Sequence, residues 1–447
     1  MTDRFEPLPD ERQYFGPGQS YAISHPLHLA RLVSFFPDCD HCPHRDETED
    51  LAPRMVRRLQ ETPLGASGPL TISSEAVTGV YLNELNADHA RRWAAALGVY
   101  LRDQDDAACQ APAVVIGGDD RPLTADLVAA VSDGLRMTAG QVIDVGGVSS
   151  AALAFAVDHL GADGGLLVGN AAGKPHHVSL KFWRRGARPL SAGGELDLLE
   201  KLYRQGVDRP ARRGGSLRRF RVEVPYLARL HTYFHALRPL RFVLDTSCRP
   251  VLRYLTELLQ RVACQIILVG RCRDEVIAFR SDSQQASGEL AQRFTNLFSQ
   301  RPLTQQIIEE GAHFGIRIDD DGETIHLSDE RGCDVAAEDL LVLIARHLLE
   351  EFPAGTIAVE SSTSPRVIQA ISLAGGSATE SSPTREAMDI AMRTSGALLG
   401  GGPSGRIWHR EAVPAADALK TLTMLLAILS KSDAPLSQVV DEAVAAQ

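Results

Sequence analysis

Three separated stretches of this chain repeat one plan: an apolar or β-branched strand, a polar turn, an amphipathic helix, and a second apolar strand. The first runs from AVVIGGDDRP (Ala113 to Pro122) through LTADLVAAVSDGLRMT to GQVIDVG (Gly140 to Gly146). The second runs from RFVLDTSCRP (Arg241 to Pro250) through VLRYLTELLQRV to CQIILVG (Cys264 to Gly270). The third runs from TIAVESSTSP (Thr356 to Pro365) through RVIQAISLAG to SATES (Ser377 to Ser381). Strands that read as apolar runs and alternate with helices are those of sheets covered on both faces. Three copies predict three related α/β domains with mixed sheets.

A chain of 447 residues is too long for one hydrophobic core. Its apolar content of 44% is that of ordinary globular protein. No apolar run is long enough to cross a bilayer, and the polar start MTDRFEPLPDERQYF is unlike a signal peptide, so a cytoplasmic protein is expected. A net charge of −11 argues against a nucleic-acid partner, which demands a basic footprint. Seven scattered cysteines do not make a disulfide framework.

Two segments carry residues suited to metals. In HPLHLARLVSFFPDCDHCPHRDETEDL (His25 to Leu51), Cys39 and Cys42 form a CxxC with His25, His28, His41 and His44 nearby. Such a turn presents two thiolates to one ion, and with His28 and His44 it would complete a tetrahedral, structural zinc site. Free thiols or a redox pair are the other readings, the latter weakened because no thioredoxin-like strand precedes the motif. In FGIRIDDDGETIHLSDERG (Phe314 to Gly332), alternate carboxylates Asp319, Asp321 and Glu323 suit a hard cation such as Mg²⁺. The same residues read equally as an acidic hairpin, with Asp321 and Gly322 as the turn.

The stretch HLGADGGLLVGNAAGKPHHVSLKFW (His159 to Trp183) resembles the phosphoserine loop of the alpha-D-phosphohexomutases, the phosphoglucomutase and phosphomannomutase superfamily. The resemblance extends over roughly Pro69 to Val440. In that family the framework encloses T-A-S-H-N-P, whose serine carries the phosphoryl group; here the positions read Gly169, Asn170, Ala171, Ala172, Gly173, Lys174. Ala171 stands at the serine position, and a methyl group cannot carry phosphate. His176 and His177 follow directly as outside candidates for a replacement nucleophile, or as plain loop residues.

The resemblance implies further losses. Where the family has G-T-S-G-x-R-G, this chain reads Ser73 to Gly79 and lacks the phosphate-contacting arginine. The G-R-D-T-R segment appears as Gly117 to Arg121, keeping Asp119 and Arg121 as substrate-binding candidates or as a turn-stabilising pair. Lys181 of the LKFW element is a further substrate-binding candidate. The metal loop keeps Asp319 and Asp321, has Glu323 for aspartate and Thr324 for arginine, and lacks the phosphoserine oxygen as a ligand. The sugar loop G-E-x-S-G-H lies in GALLGGGPSGRIWH: Ser404 and Gly405 persist, whereas Gly402 replaces the glutamate. The R-x-S-G-T phosphate clamp of a fourth domain has no counterpart, and Arg393 to Gly396 is a chance echo. Helices LKTLTMLLAILSKS and PLSQVVDEAVA read as completing the third domain.

The expected organisation is an N-terminal extension over 1–66, domain I over 67–215, domain II over 216–302 and domain III over 303–447, with domain IV absent. The Arg-rich stretch Arg204 to Arg221 reads as a solvated joint or as an anion-binding patch. The expected function is a phosphosugar-binding or regulatory pseudoenzyme, acting alone or paired with an active relative or with itself. The rivals are an active mutase using His176 or His177, a phosphatase-like activity at Asp319, Asp321 and Glu323, and a structural partner with no small ligand.

Overall fold

The computed structural model describes residues 13–15, 22–33, 39, 42–61, 71–81, 84–103, 111–169, 177–207, 211, 214–234, 236–269, 302–410 and 413–445. Near the N-terminus, β1 (Gln13–Phe15) and β2 (Ala22–Ser24) form an antiparallel pair beside the helix His25–Val33.

The first large sheet is built from β3 (Thr71–Ile72), β4 (Val77–Val80), β5 (Ala113–Gly118), β6 (Gln141–Gly147), β7 (Gly164–Gly169), β8 (His177–Arg184), β9 (Arg188–Pro189) and β10 (Leu217–Arg219). Its order is β10-β6-β5-β7-β8-β4-β3, with β9 also pairing β8. Strands β5, β6 and β7 are parallel, and β8 turns back antiparallel. The second sheet contains β11 (Arg241–Thr246), β12 (Gln265–Leu268), β13 (Phe314–Ile318), β14 (Ile325–Ser328) and β15 (Asp334–Val335), in the order β12-β11-β13-β14-β15. The third contains β16 (Thr356–Glu360), β17 (Ser377–Ser381), β18 (Leu399–Gly401), β19 (Ile407–Arg410) and β20 (Pro414–Ala416), in the order β17-β16-β18-β19-β20.

Each sheet therefore repeats one topology. A first strand is flanked by two parallel neighbours, and two antiparallel strands then extend the side of the third. The three repeated stretches of sequence supply the first two strands and the helix between them: Ala125–Met137, Arg249–Leu258 and Pro365–Leu373. Parallel neighbours require such a crossover.

Sheet membership divides the chain differently from the expected boundaries. Strand β10 still pairs with β6, so the first unit continues past 215. Strand β13 pairs with β11, so the helix Leu303–Glu309 and strands β13 to β15 belong to the second unit and not to the third. The third unit starts with the helix Ala337–Glu351. A polar stretch around Arg301 and Pro302 resembles a linker in sequence, but β11 carries apolar residues whose far edge β13 must cover.

One core runs through all three units. It includes Val115 and Ile143 of the first, Phe242 and Phe314 of the second, and Ile357 and Leu425 of the third. The rings of Phe242 and Phe314 stack at 5.0 Å, and burying each contributes about 2 kcal/mol. A second core covers the opposite face of the first sheet beneath the helices Ala87–Asp103, Ala125–Met137 and Glu195–Gln205. Because the domains share side-chain packing, the loops at their strand ends are held against one another.

Candidate active-site cleft

The acidic loop between β13 and β14 is the meeting point of the three domains. Its backbone is held by helix starts, where N–H groups lack partners within the helix. Ser150, the first residue of the helix Ser150–His159, donates its N–H to the carbonyl of Asp321 at 3.3 Å. Ala418, the first residue of the helix Ala418–Leu429, donates to Gly322 at 3.1 Å. The N–H of Ile325 reaches the carbonyl of Gly405 in the third domain at 3.0 Å. Gly322 adopts φ +78, which a residue with a side chain disfavours, so the D-G turn foreseen in the sequence is present. Two helix N-termini thus place partial positive charge behind a loop of consecutive acids.

The acids do not converge as the spacing implied. Asp319, Asp320 and Asp321 bring carboxylate oxygens within 4.8 Å of one another, and Asp320 was not singled out by the alternating pattern. Glu323 lies outside that group. Its Oε1 accepts from Ser150 Oγ at 2.5 Å and lies 3.5 Å from Lys181 Nζ and 3.5 Å from Arg385 Nε. Its Oε2 lies 3.6 Å from Arg406 Nε. The longer glutamate side chain carries the carboxylate past the loop and into a ring of cations. Burial and the adjacent Asp321 push the Asp319 carboxyl well above its usual range. Burial acts likewise on Asp321, but the ammonium of Lys181 and the hydrogen bond from Asp319 hold it below that range.

Around this loop lies a lattice of ion pairs between domains. Lys181 on β8 pairs with Asp321. Arg406, which precedes β19, grips Glu75 through two bonds of 2.9 Å. Glu75 sits in the turn between β3 and β4 and also accepts the N–H of Arg385 at 2.6 Å. Burial opposes ionisation of Glu75, yet Arg385 and Arg406 together hold its carboxyl below the usual range. Burial also acts against the charge on Arg406, and Glu323 and Glu75 overcome it, leaving that guanidinium firmly protonated.

Other predicted residues have structural partners. Asp119 pairs with Arg121 at 2.6 Å and accepts from Thr124 Oγ1 at 3.0 Å, a buried turn of the kind one sequence reading foresaw. His177 opens β8, and its carbonyl accepts from Arg121 at 3.1 Å. Ala171 and His176 lie outside the described residues. In the loop before β19, Ser404 Oγ and N both donate to Glu360, a strand residue outside the motif positions. Gly405 adopts φ +78. In the Arg-rich stretch, Arg204 pairs with Glu200 and Arg221 with Glu223, on exposed surface away from the cleft loop.

Of the expected zinc ligands, His28 and His44 are neighbours: His28 Nε2 lies 3.1 Å from the carbonyl of His44, and the two rings are 6.4 Å apart. Cys39 and Cys42 are buried in one turn, whereas His28 stacks on Tyr14 at 4.3 Å. His44 Nδ1 is 2.7 Å from Glu47, and His25 lies between Tyr14 and Asp50. Among the described residues, the acids of the β13–β14 loop form the group with metal-binding geometry. The histidines instead pack around a tyrosine ring and pair with carboxylates.

Sequence models of two phosphoglucomutase/phosphomannomutase α/β/α domains match this chain: domain I over residues 74–202 and domain III over residues 337–446. The chain belongs to the alpha-D-phosphohexomutase superfamily. It is 28% identical over 340 residues to a phosphomannomutase of Salmonella montevideo, covering 73% of this chain and 70% of that one. A phosphoglucomutase/phosphomannomutase family protein of Burkholderia thailandensis has the same fold, with TM-score 0.68, 22% identity, and 83% and 80% of the two chains covered. A more distant N-acetylphosphoglucosamine mutase of Aspergillus fumigatus, solved with GlcNAc-6P and magnesium, aligns at TM-score 0.51 and 10% identity, over 93% and 83%. The domain III match begins where the third structural unit begins. In this member of the phosphohexomutase superfamily, no helix among the described residues is long and apolar enough to cross a membrane.

Proposed function

We propose that this phosphohexomutase-family protein binds a phosphorylated sugar in its interdomain cleft without passing the phosphoryl group through a covalent enzyme intermediate, and so acts as a regulatory pseudoenzyme. The observation that carries the reading is the commitment of the cleft cations to the chain's own acids. Lys181 is taken by Asp321, and Arg406 by Glu75 and Glu323. Phosphoryl transfer relies on positioned charges that are available to the migrating group. Ala171 adds a chemical reason, because its side chain has no oxygen to phosphorylate.

Magnesium fits part of this site. Asp319, Asp320 and Asp321 would hold it, and the raised affinity of Asp319 for a proton reflects burial together with a crowding of negative charge that a cation relieves. Glu323 does not fit, since cations already surround it. Bound there, the ion would neutralise the acidic cluster and draw phosphate oxygens toward the loop. Lys181 competes for Asp321, so binding is expected to be weak, in roughly the millimolar range. A second copy of this chain, or an active relative, is the partner class for such a regulator.

A coupled assay of hexose 1-phosphate and 6-phosphate interconversion, with intact mass after exposure to glucose 1,6-bisphosphate, tests the proposal. The expected result is no turnover and no added phosphate, together with calorimetric binding of a hexose phosphate. Turnover, or a phosphate mapped to His176 or His177, would establish an active enzyme instead.

A further inference from the structure

Arg385 is buried to 3% exposure, yet its Nε and Nη2 make no hydrogen bond. Its nearest carboxylates stand at 3.5 Å (Glu323) and 3.7 Å (Glu75), beyond good hydrogen-bonding range, and its guanidinium lies 5.2 Å from the centre of the Trp183 ring. A buried cation with idle N–H groups is costly, and a protein retains one where something else satisfies it.

The surroundings indicate what that is. Arg385 begins the helix Arg385–Ser395, and its own N–H points at Glu75. Arg406 presents its planar fork to the same carboxylate. A helix N-terminus, one bidentate arginine and a second buried arginine together form an oxyanion site. Glu75 fills it incompletely. Its two oxygens serve Arg406 and the backbone, and Arg385 keeps unmet donors. A phosphate monoester has three terminal oxygens and greater charge, which suits the donors left over.

We propose that Glu75 is a tethered occupant of an oxyanion site made by Arg385, Arg406 and the start of the helix Arg385–Ser395, and that a phosphate monoester takes the site when the β3–β4 turn withdraws. The turn is suited to this. It lies at the edge of the first sheet, beyond the two-residue strand β3, and is closed on itself by Ser73 Oγ bonding with Ala76. Its displacement leaves the sheet centre intact. The proposal rests on the reading that the cleft accepts a phosphate ester, and it makes apparent affinity depend on how often Glu75 is absent.

The test is calorimetric titration of the full chain with inorganic phosphate and with glucose 6-phosphate, in wild type, Glu75→Gln and Glu75→Ala. Removing the tethered charge is expected to tighten phosphate binding by about tenfold or more, and phosphate should raise the melting temperature of Glu75→Ala more than that of wild type. Adding Arg385→Ala to Glu75→Gln should erase the gain. If Glu75→Ala does not fold, Glu75→Gln, which keeps the size and an acceptor, carries the same criterion. A folded variant that binds phosphate no tighter than wild type overturns the proposal. Glucose 6-phosphate binding to wild type with no gain in Glu75→Gln also overturns it and leaves the phosphosugar reading standing. A gain for inorganic phosphate with no response to the sugar phosphate upholds the oxyanion site and removes the sugar reading.

Discussion

Glu360 stands in the space that a side chain at Gly402 would need. A Cβ on Gly402 would lie 2.7 Å from Glu360 Cβ and 2.8 Å from its Oε2. The space beside Gly402 is thus filled by the carboxylate of Glu360 on the neighbouring strand β16, 1% exposed and bonded to Ser404. Gly402→Ala is expected to destabilise the protein by about 1–3 kcal/mol through overpacking. Pairing it with Glu360→Ala should cost less than the sum of the two single changes, as measured by urea denaturation. Strict additivity would show that the two side chains do not compete for space.

Magnesium should raise the melting temperature at millimolar concentration. Asp320→Asn is expected to abolish that response, because Asp320 belongs to the converging group. Glu323→Gln should retain it while lowering the starting melting temperature, since Arg385 and Arg406 then lose a counter-charge. Loss of the magnesium response in Glu323→Gln alone would restore the ligand set inferred from spacing.

Two buried groups set opposite pH slopes. Burial, reinforced by Arg229, drives the His409 ring down to about 3. Below the unfolded value near 6.5 the unfolded chain takes up a proton that the folded chain refuses, so stability falls with pH until about 3. Burial raises Asp417 to about 6 against the bonds it receives, including that from Tyr226 at 2.7 Å. Its contribution is fully present below its unfolded value near 3.8 and is lost as pH rises through about 6. His409→Gln should therefore free the Asp417 slope. Stability of the variant relative to wild type should improve by up to about 1.4 kcal/mol per pH unit between pH 6 and 4. Parallel denaturation profiles across that window would contradict the assignment.

Gly147 faces Asp120, a non-glycine residue held at φ +64 by Arg253 on its side chain at 2.8 Å and Arg249 on its carbonyl at 2.9 Å. A Cβ at 147 would overlap that carboxylate. Gly147→Ala is expected to cost about 3 kcal/mol, since it breaks a partly buried charge pair between the first two domains. Asp120→Gly in the same background should recover part of the loss, which chemical denaturation would register.

The sequence was most legible where the pattern was local. Each strand–helix–strand repeat appears where periodicity and turn residues placed it, because a covered parallel strand and its crossover helix carry their own signal. The later strands of each sheet are two to eight residues long and are recruited by pairing, so the second unit extends past the boundary expected at 302. At the site, the motif positions mark the acidic loop but give no partners. Glu75, Glu360 and Arg385 acquire their roles only when distant segments meet, and no spacing rule reaches from Glu75 to Arg406. The CxxC is the opposite case. Its spacing is local and suggestive, but Tyr14, Glu47 and Asp50 already engage the histidines that would complete it.

The loop between β13 and β14 also has a bearing on how the chain folds. Its partners Lys181 and Ser150 lie 140 and 173 residues away in sequence, so none of these contacts forms until two sheets already exist. Contacts of such long range form slowly, because chain closure costs entropy before any bond repays it. Docking of the acidic loop is thus a contact between units and not within one, and its formation depends on their meeting. The apolar faces of the shared core lie on the same units, so the loop contacts and the core join the same elements. The shape of this loop therefore bears on how the three units come together, apart from any chemistry in the cleft.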